Sequence, residues 1–175
     1  MTAKESDAVV LLASSRSRGN TRLLVDFLTD RTAIPLVDLA AKNIAYYDYS
    51  GQAEKDDFIP LIQTLAEKQI WILATPVYWY SMSAQMKTFF DRLTELLTTH
   101  KELGRQLRGR AVAVLASGTD PDLPEGFEAP FRLTCNYLGM SYLGACYGQF
   151  EKDLTPVPSA RDAVTAFGGK LFRKE

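Results

Sequence analysis

The sequence predicts a doubly wound α/β fold, in which helices cover both faces of a five-stranded parallel sheet. Five short apolar runs are continuous rather than alternating, which is typical of strands that are buried on both faces. A helical pattern of apolar residues follows each run, and this alternation favours parallel strands joined by right-handed crossovers. The 175 residues fit a single domain over residues 1–175, with the strand order 2-1-3-4-5.

The predicted strands are spaced evenly along the chain, and the second has the weakest pattern. They are AVVLLA (8–13), IPLVDLA (34–40), QIWILATP (69–76), AVAVLAS (111–117) and SYLGACYG (141–148). Each run has six to eight residues, which suits a strand better than a buried helix.

Five helical stripes lie after these strands. Their apolar members are Leu23, Leu24, Phe27 and Leu28; Phe58, Leu61, Ile62 and Leu65; Met86, Phe89, Phe90, Leu93, Leu96 and Leu97; Phe127, Phe131 and Leu138; and Val164, Phe167 and Leu171. We predict Asp57 as the N-cap of the second helix, with Pro60 in its first turn. Pro130 interrupts the fourth helical stripe, and Gly168 and Gly169 weaken the prediction of the fifth helix.

Composition and charge exclude several classes of protein. The formal net charge of −1, from 20 basic and 21 acidic residues, argues against nucleic acid as the main partner. It also differs from the strong negative charge of a small carrier that docks by electrostatic steering. Cys135 and Cys146 make neither a disulfide framework nor a metal site. We see no signal peptide and no membrane span, and we expect a reduced, cytoplasmic location.

A cluster of small and polar residues follows the first strand, within LLASSRSRGNTRLLVDFL (11–28). In this strand order, ligands bind beyond the carboxyl ends of the first and third strands. A helix start suits a phosphate group, Arg16 can pair with its oxygens, and Gly19 allows close approach. Ser14, Asn20 and Thr21 add short hydrogen-bonding side chains, although an ordinary loop with an N-cap remains the alternative. Neither dinucleotide nor P-loop glycine patterns are present, which favours a monophosphate ligand.

A second cluster follows the third strand, within ATPVYWYSMSAQMKTFFDRL (74–93). It meets the first cluster across the switch in strand order. Tyr78, Trp79 and Tyr80 are consecutive and cannot all point into one core. We expect some of them at a cleft or interface, where they could form a wall for a planar ring; ordinary packing is the alternative. We predict that Ser83 begins the helix that follows.

Together, SSRSRGNT (14–21) and TPVYWYSMSAQMKTFFDR (75–92) resemble the NAD(P)H-dependent FMN reductase family of flavodoxin-like flavoproteins. The second motif is the more specific, and the strand–helix order extends the resemblance over the whole chain. It implies a flavodoxin-like three-layer α/β/α sandwich that binds FMN and uses NAD(P)H as electron donor. It also implies hydride transfer from nicotinamide to flavin, followed by reduction of a quinone, azo compound, nitro compound or free flavin. Since the flavin does the redox chemistry, we expect no side chain to act as acid or base.

The resemblance assigns the cofactor-binding residues to three segments. The phosphate and ribityl chain would be held by Ser14, Arg16, Gly19, Asn20 and Thr21. The flavin ring would be flanked by Pro76, Val77, Tyr78, Trp79, Ser81 and Met82. A third loop, after the fourth strand, would touch the ring through Ser117, Gly118 and Thr119.

Departures from the family pattern lie in two places. Some members of the family carry a cysteine cluster that binds an iron–sulfur centre between the second strand and the second helix. The corresponding segment here, NIAYYDYSGQAEKDDF (43–58), has no cysteine, so we expect no iron–sulfur centre. Tyr46, Tyr47 and Tyr49 either shape the substrate mouth or pack this loop. Tyr80 stands where a small residue, often glycine, is expected, and would narrow or reshape the nicotinamide site.

The width of the third stripe predicts a homodimer with flavin sites near the interface. One side of that helix covers the sheet, and the remainder would leave an apolar patch of the kind that marks contacts. The family resemblance also implies pairing through these helices. The alternative is that the loop at 41–56 covers the patch within one chain. A flavodoxin-type electron carrier and a flavin-binding sensor remain the rival functions, and the sequence leaves the acceptor and the choice of nicotinamide open.

Overall fold

The computed structural model describes residues 4–30, 32–49, 55–153 and 155–172. Five strands form one sheet in the order β2-β1-β3-β4-β5, and every neighbouring pair is parallel. The strands are β1 (Ala8–Leu12), β2 (Leu36–Asp38), β3 (Ile70–Pro76), β4 (Ala111–Gly118) and β5 (Ser141–Gln149). The predicted fold class and strand order are therefore confirmed.

Six α-helices lie in the described part of the chain. They are α1 (Asn20–Thr29), α2 (Phe58–Ala66), α3 (Ala84–Arg92), α4 (Lys101–Gln106), α5 (Ala129–Leu138) and α6 (Pro158–Leu171). Short 3₁₀ segments follow β2 at Leu39–Ala41 and α3 at Leu93–Leu97. The predicted third helix was too long, because its stripe passes from α-helix into 3₁₀ geometry at Leu93. His100 precedes α4 as its N-cap residue.

Two apolar cores flank the sheet. All five residues of β1 are buried, and they alternate between the two faces. Val9 and Leu11 pack with residues of α2, α3 and α5, whereas Val10 and Leu12 pack with residues of α1 and α6. The continuous apolar pattern of the strand thus follows from helices on both faces, which gives the three-layer sandwich.

Proline and aspartate positions explain how α2 and α5 begin. Asp57 is the N-cap residue of α2, as predicted, but its side chain does not cap the helix. Its carboxylate instead accepts a 2.8 Å hydrogen bond from the Asn43 N–H, while Asp56 accepts one of 2.9 Å from the Phe58 N–H. Pro130 lies in the first turn of α5, where the absence of an N–H costs little.

The apolar stripe of α3 is covered largely within the chain. Met86, Phe89, Leu93 and Leu96 are buried, and Leu97 is 41% exposed. The stripe therefore does not leave the wide apolar patch from which we predicted a dimer. Within the described residues, no helix has the length and apolar character needed to cross a membrane.

Candidate functional site

Three loops meet at the carboxyl edge of the sheet. They follow β1, β3 and β4, which are neighbours in the sheet and run parallel. Strand order reverses between β1 and β3, and this is the place where open α/β sheets bind ligands. The structure therefore brings the three predicted binding segments to one edge.

A buried hydroxyl pair connects the first and third segments. Thr21 Oγ1 lies 2.7 Å from Ser117 Oγ, and both residues are almost fully buried. Thr21 is in the first turn of α1, and Ser117 is near the end of β4. The Ser117 carbonyl also accepts a 2.8 Å hydrogen bond from the Val77 N–H. Ser117 thus contacts both of the other segments.

Ser83 ties the second segment to the end of β1. Its hydroxyl donates to the Ala13 carbonyl at 2.7 Å and accepts from the Met86 N–H at 3.2 Å, so it caps α3 as predicted. Its N–H donates to Thr75 Oγ1 at 3.0 Å. Sequence reasoning identified the cap but missed Thr75, because nothing in the spacing shows that this hydroxyl faces the loop.

The first segment presents hydrogen-bond donors at the start of α1. Gly19 is the N-cap residue and supplies no side-chain cap, so the first N–H groups of the helix, from Asn20 onward, lack helical partners. Ser14 is buried, and its hydroxyl accepts a 3.3 Å hydrogen bond from the Arg16 N–H. Arg16 and Arg18 are exposed and form no ion pair with any described residue. These donors and free guanidinium groups suit a phosphate.

The second segment contains a strained two-residue turn. Tyr78 and Ser81 exchange backbone hydrogen bonds of 2.9 and 3.1 Å, which leaves Trp79 and Tyr80 at the centre of the turn. Their φ angles are 48° and 65°, in the left-handed region. Turns of this kind normally contain Asn-Gly, because bulky residues rarely adopt positive φ. Strain of this type is concentrated at functional sites.

The turn projects its aromatic side chains outward. Trp79 is 92% exposed and Tyr80 is 68% exposed, while Tyr78 is partly exposed. The expectation that the three aromatics do not share one core is therefore confirmed. The other ring-flanking candidates differ in burial: Pro76 and Met82 are buried, Val77 is half-buried and Ser81 is exposed.

The third segment is fixed by Tyr147, which sequence reasoning missed. A Cβ atom at Gly118 would lie 2.6 Å from the Tyr147 hydroxyl oxygen, so any larger residue there would displace the Tyr147 side chain. The same hydroxyl donates to the Asp120 carbonyl at 2.8 Å. Burial raises the pKa of Tyr147, and the nearby carboxylates of Asp120 and Asp122 raise it further. The phenol stays protonated and orders the loop, in which Thr119 is exposed.

A buried ion cluster, which sequence reasoning also missed, fastens the loop after β2 to α3. Arg92 is fully buried and forms ion pairs with Asp56 and Glu95. Its Nη1 donates to the Ala45 carbonyl at 3.0 Å, and its guanidinium carbon lies 4.7 Å from the centre of the Phe58 ring. The contacts with Asp56, Ala45 and Phe58 join α3 to segments at least 34 residues earlier in the chain.

The pKa of Asp56 shows that this cluster holds its charge. Burial acts to raise the pKa, but hydrogen bonds from Arg92, Phe58 and Ala45 outweigh burial and lower it below the ordinary 3.8. The pKa of Arg92 is raised because hydrogen bonds to Asp56 and Glu95 outweigh burial, which acts to lower it. Asp56 is therefore ionised whenever the protein is near neutral pH.

The tyrosine loop projects into solvent. Tyr46 and Tyr49 are highly exposed, and the Tyr47 and Tyr49 ring centres lie 5.2 Å apart. Tyr49 therefore packs against Tyr47 within the loop. A place for these tyrosines at the substrate mouth stays a prediction. Within the described residues, no group of three or more His, Cys, Asp or Glu side chains is placed to hold a metal ion.

Comparisons with known proteins agree with this arrangement. The family model described as NADPH-dependent FMN reductase matches residues 7–154. YwqN of Bacillus subtilis strain 168, named as an NAD(P)H-dependent FMN-containing oxidoreductase, is 26% identical over 155 residues, which cover 80% of this chain and 83% of YwqN. An iron-sulfur flavoprotein of Archaeoglobus fulgidus is 29% identical over 132 residues, covering 69% of this chain and 59% of that protein.

A solved structure extends the likeness to the whole fold. The Trp repressor binding protein from Bacillus subtilis superposes with a TM-score of 0.73 at 24% sequence identity, covering 91% of this chain and 98% of that one. At this identity the likeness concerns the fold alone.

Proposed function

The chain belongs to the NADPH-dependent FMN reductase family, and we propose that it is an enzyme that oxidises NAD(P)H and reduces a quinone, azo, nitro or flavin acceptor. The observation that carries the proposal is the meeting of three loops at the switch in strand order, with the unpaired start of α1 among them. Bound FMN supplies the two-electron chemistry between the nicotinamide and the acceptor. The protein supplies binding, orientation and access.

The first segment fits the FMN phosphate by the chemistry of its donors. The N-terminal N–H groups of α1, the Ser14 hydroxyl and the exposed Arg16 guanidinium are all hydrogen-bond donors near a positive helix end. A Cβ atom at Gly19 would lie 3.1 Å from Arg16 Cβ, so glycine leaves room for the Arg16 side chain in this loop. In this proposal Asn20 and the backbone N–H of Thr21 contact the phosphate and ribityl chain, while the Thr21 hydroxyl stays bound to Ser117.

The second and third segments border the flavin ring. In this proposal its neighbours are Pro76, Val77, Tyr78, Trp79, Ser81 and Met82 on one side, and Ser117, Gly118 and Thr119 on the other. Hydrogen bonds from Ser83 to Ala13 and from Tyr147 to Asp120 hold these loops in place before any ligand arrives. Such preorganised loops let backbone donors stabilise negative charge on the reduced ring.

Tyr80 controls access for the nicotinamide in this proposal. It is exposed in a turn where glycine would be unstrained, so its ring occupies space that a small residue would leave empty. The expected consequence is an effect on nicotinamide or acceptor binding rather than on FMN binding.

A steady-state assay tests the proposed activity. FMN-loaded protein is mixed with NADH or NADPH and a benzoquinone, and nicotinamide oxidation is followed. Saturable oxidation above that of free FMN supports the proposal. An electron carrier or a flavin-binding sensor would hold FMN but oxidise neither nucleotide directly.

We also propose that two chains associate as a homodimer. Leu97, Leu133 and Tyr137 form an exposed apolar surface around the end of α3 and on α5, with Tyr137 76% exposed. Leu97 and Tyr137 line one shallow cavity, and Leu133 lies one turn from Tyr137. Exposed apolar surface marks contacts, and two-fold pairing is the commonest assembly. Light scattering should give twice the 19.5 kDa chain mass, whereas 19.5 kDa with FMN bound would rule the dimer out.

A further inference from the structure

The loop that carries the second segment closes on itself at its base. Thr75 lies next to the end of β3, and its hydroxyl oxygen accepts a 3.0 Å hydrogen bond from the Ser83 N–H. The seven residues 76–82 lie between these two positions, so the bond closes a short loop. Thr75 and Ser83 are both completely buried, so water does not compete for this bond. We call this hydrogen bond the clasp.

The base of the loop is also tied to the neighbouring segments. The Ser83 hydroxyl donates to the Ala13 carbonyl beyond the end of β1, at 2.7 Å. The Val77 N–H donates to the Ser117 carbonyl in β4, at 2.8 Å. The clasp therefore joins two flanks that are themselves anchored to the rest of the site.

The tip of the loop holds a conformation that its residues do not favour. Trp79 and Tyr80 have φ angles of 48° and 65°, and the segment 76–82 contains no glycine. Bulky residues keep a positive φ only where the surrounding structure imposes it, because this conformation costs free energy. Backbone hydrogen bonds between Tyr78 and Ser81 close the turn itself. The clasp prevents the two flanks behind this turn from moving apart.

We propose that Thr75 is a positioning residue, whose hydroxyl keeps the Trp79–Tyr80 turn in its strained conformation and so fixes the aromatic side chains beside the flavin. This inference rests on the proposed assignment of the second segment to the flavin ring. Thr75 is completely buried and acts only through the loop. Because the clasp orders the aromatic side chains beforehand, FMN does not have to order them when it binds, which lowers the cost of binding.

A double-mutant cycle tests whether the clasp holds the strain. Thr75→Val keeps the shape of the side chain but leaves the Ser83 N–H without an acceptor, whereas Tyr80→Gly relieves the strain at one residue. Tyr80→Gly should lower the equilibrium constant for unfolding about fivefold in the wild type. In Thr75→Val, where the turn has already relaxed, it should lower this constant by less than about twofold.

Urea unfolding of the four FMN-loaded proteins gives these constants. The contribution of bound FMN is subtracted by means of the dissociation constant measured for each protein. If Tyr80→Gly stabilised the wild type and Thr75→Val equally, the clasp would not hold the turn and the proposal would be overturned.

FMN affinity tests whether the clasp acts on the flavin site. Thr75→Val should weaken FMN binding about tenfold, because two aromatic side chains must then be ordered when FMN binds. Thr75→Ser keeps the hydroxyl and should bind FMN within about twofold of the wild type. Val164→Ala removes a buried side chain from the core on the other face of the sheet, so it should lower stability but leave FMN affinity unchanged. Fluorescence quenching of FMN measures the four dissociation constants.

An unchanged FMN affinity in Thr75→Val would overturn the proposal, and so would an equal loss of affinity in Thr75→Ser or in Val164→Ala. None of these measurements uses a nicotinamide, so their outcome is independent of the proposed oxidation of NAD(P)H. If Thr75→Val does not fold, Thr75→Cys replaces it with the same expected directions, since a thiol is a weaker acceptor than a hydroxyl.

Discussion

Thr21 Oγ1 lies 2.7 Å from Ser117 Oγ, and this contact joins residues 96 positions apart. It connects the start of α1, which we assign to the phosphate, with the end of β4, which we assign to the flavin ring. Because both residues are buried, the relative position of the two segments is fixed within the protein before a ligand binds.

Ser117→Ala should reduce the free energy of unfolding by about 1–3 kcal/mol, because it leaves the Thr21 hydroxyl buried without a partner. Thr21→Val should cost less in the Ser117→Ala background than in the wild type, with a coupling of about 1 kcal/mol. Urea unfolding of the four proteins measures both quantities. If the losses of the two single variants simply added up in the double variant, the two hydroxyls would not interact.

Arg92→Met should destabilise the protein by about 3–5 kcal/mol, since it leaves the buried carboxylates of Asp56 and Glu95 without their cation. Lys87→Gln is the matched control on the same helix. Its pair with Asp91 is exposed and should contribute no more than about 1 kcal/mol. Urea unfolding measures the loss of stability in both variants. If Arg92→Met lost as little free energy of unfolding as Lys87→Gln, the Arg92 cluster would not hold the loop.

Acid should weaken the wild-type protein partly through Asp56. Its folded pKa lies below 3.8, so its ionisation stabilises the fold above the unfolded pKa. That contribution is lost as the pH falls through the folded pKa. Unfolding free energies between about pH 5 and pH 3 should therefore fall more steeply for the wild type than for Asp56→Asn. If the free energy of unfolding fell equally steeply with pH in the wild type and in Asp56→Asn, the lowered pKa of Asp56 would be contradicted.

Tyr80→Gly should raise the free energy of unfolding by about 1 kcal/mol, because glycine adopts a positive φ without strain. The same variant should change the KM for the nicotinamide or acceptor more than it changes FMN affinity. Tyr80→Ala removes the ring but keeps the strain, so it separates the two effects. An equal loss of FMN affinity and KM in Tyr80→Gly would show that Tyr80 serves to pack the loop.

Arg16→Ala should weaken FMN binding by about 1.5–3 kcal/mol, the range for a hydrogen bond to a charged group. The fold should survive, because Arg16 is an exposed loop residue. Arg105→Ala removes an exposed arginine on α4 and should leave FMN affinity unchanged. Fluorescence quenching of FMN measures both affinities. An unchanged affinity in Arg16→Ala would remove Arg16 from the phosphate site.

Most of the sheet could be predicted because its strands are buried on both faces. Continuous apolar runs such as Val9 to Leu12 have no other simple explanation in an α/β pattern. The missed helix α4, Lys101–Gln106, has one large apolar residue, so it lacks the amphipathic period that reveals a helix. Local periodicity thus identified elements that face a core and failed for one that lies mostly at the surface.

Site residues could be predicted from the sequence where their partners lie within a few residues of them. Ser83 was identified as a helix start because caps depend on the next few residues. Arg92 was missed because its partners Ala45 and Asp56 lie on a distant loop. The turn at Trp79 and Tyr80 was also hidden, since neither residue is one that positive φ normally selects.

The most direct test of the proposed activity is anaerobic stopped-flow mixing of the FMN-loaded protein with NADH and, separately, with NADPH. We expect the visible absorbance of oxidised flavin to fall in a phase whose rate saturates with the concentration of at least one nucleotide. The same phase should be absent when free FMN replaces the protein. Flavin that stays oxidised with both nucleotides would contradict the assignment of this protein as an NAD(P)H-oxidising enzyme.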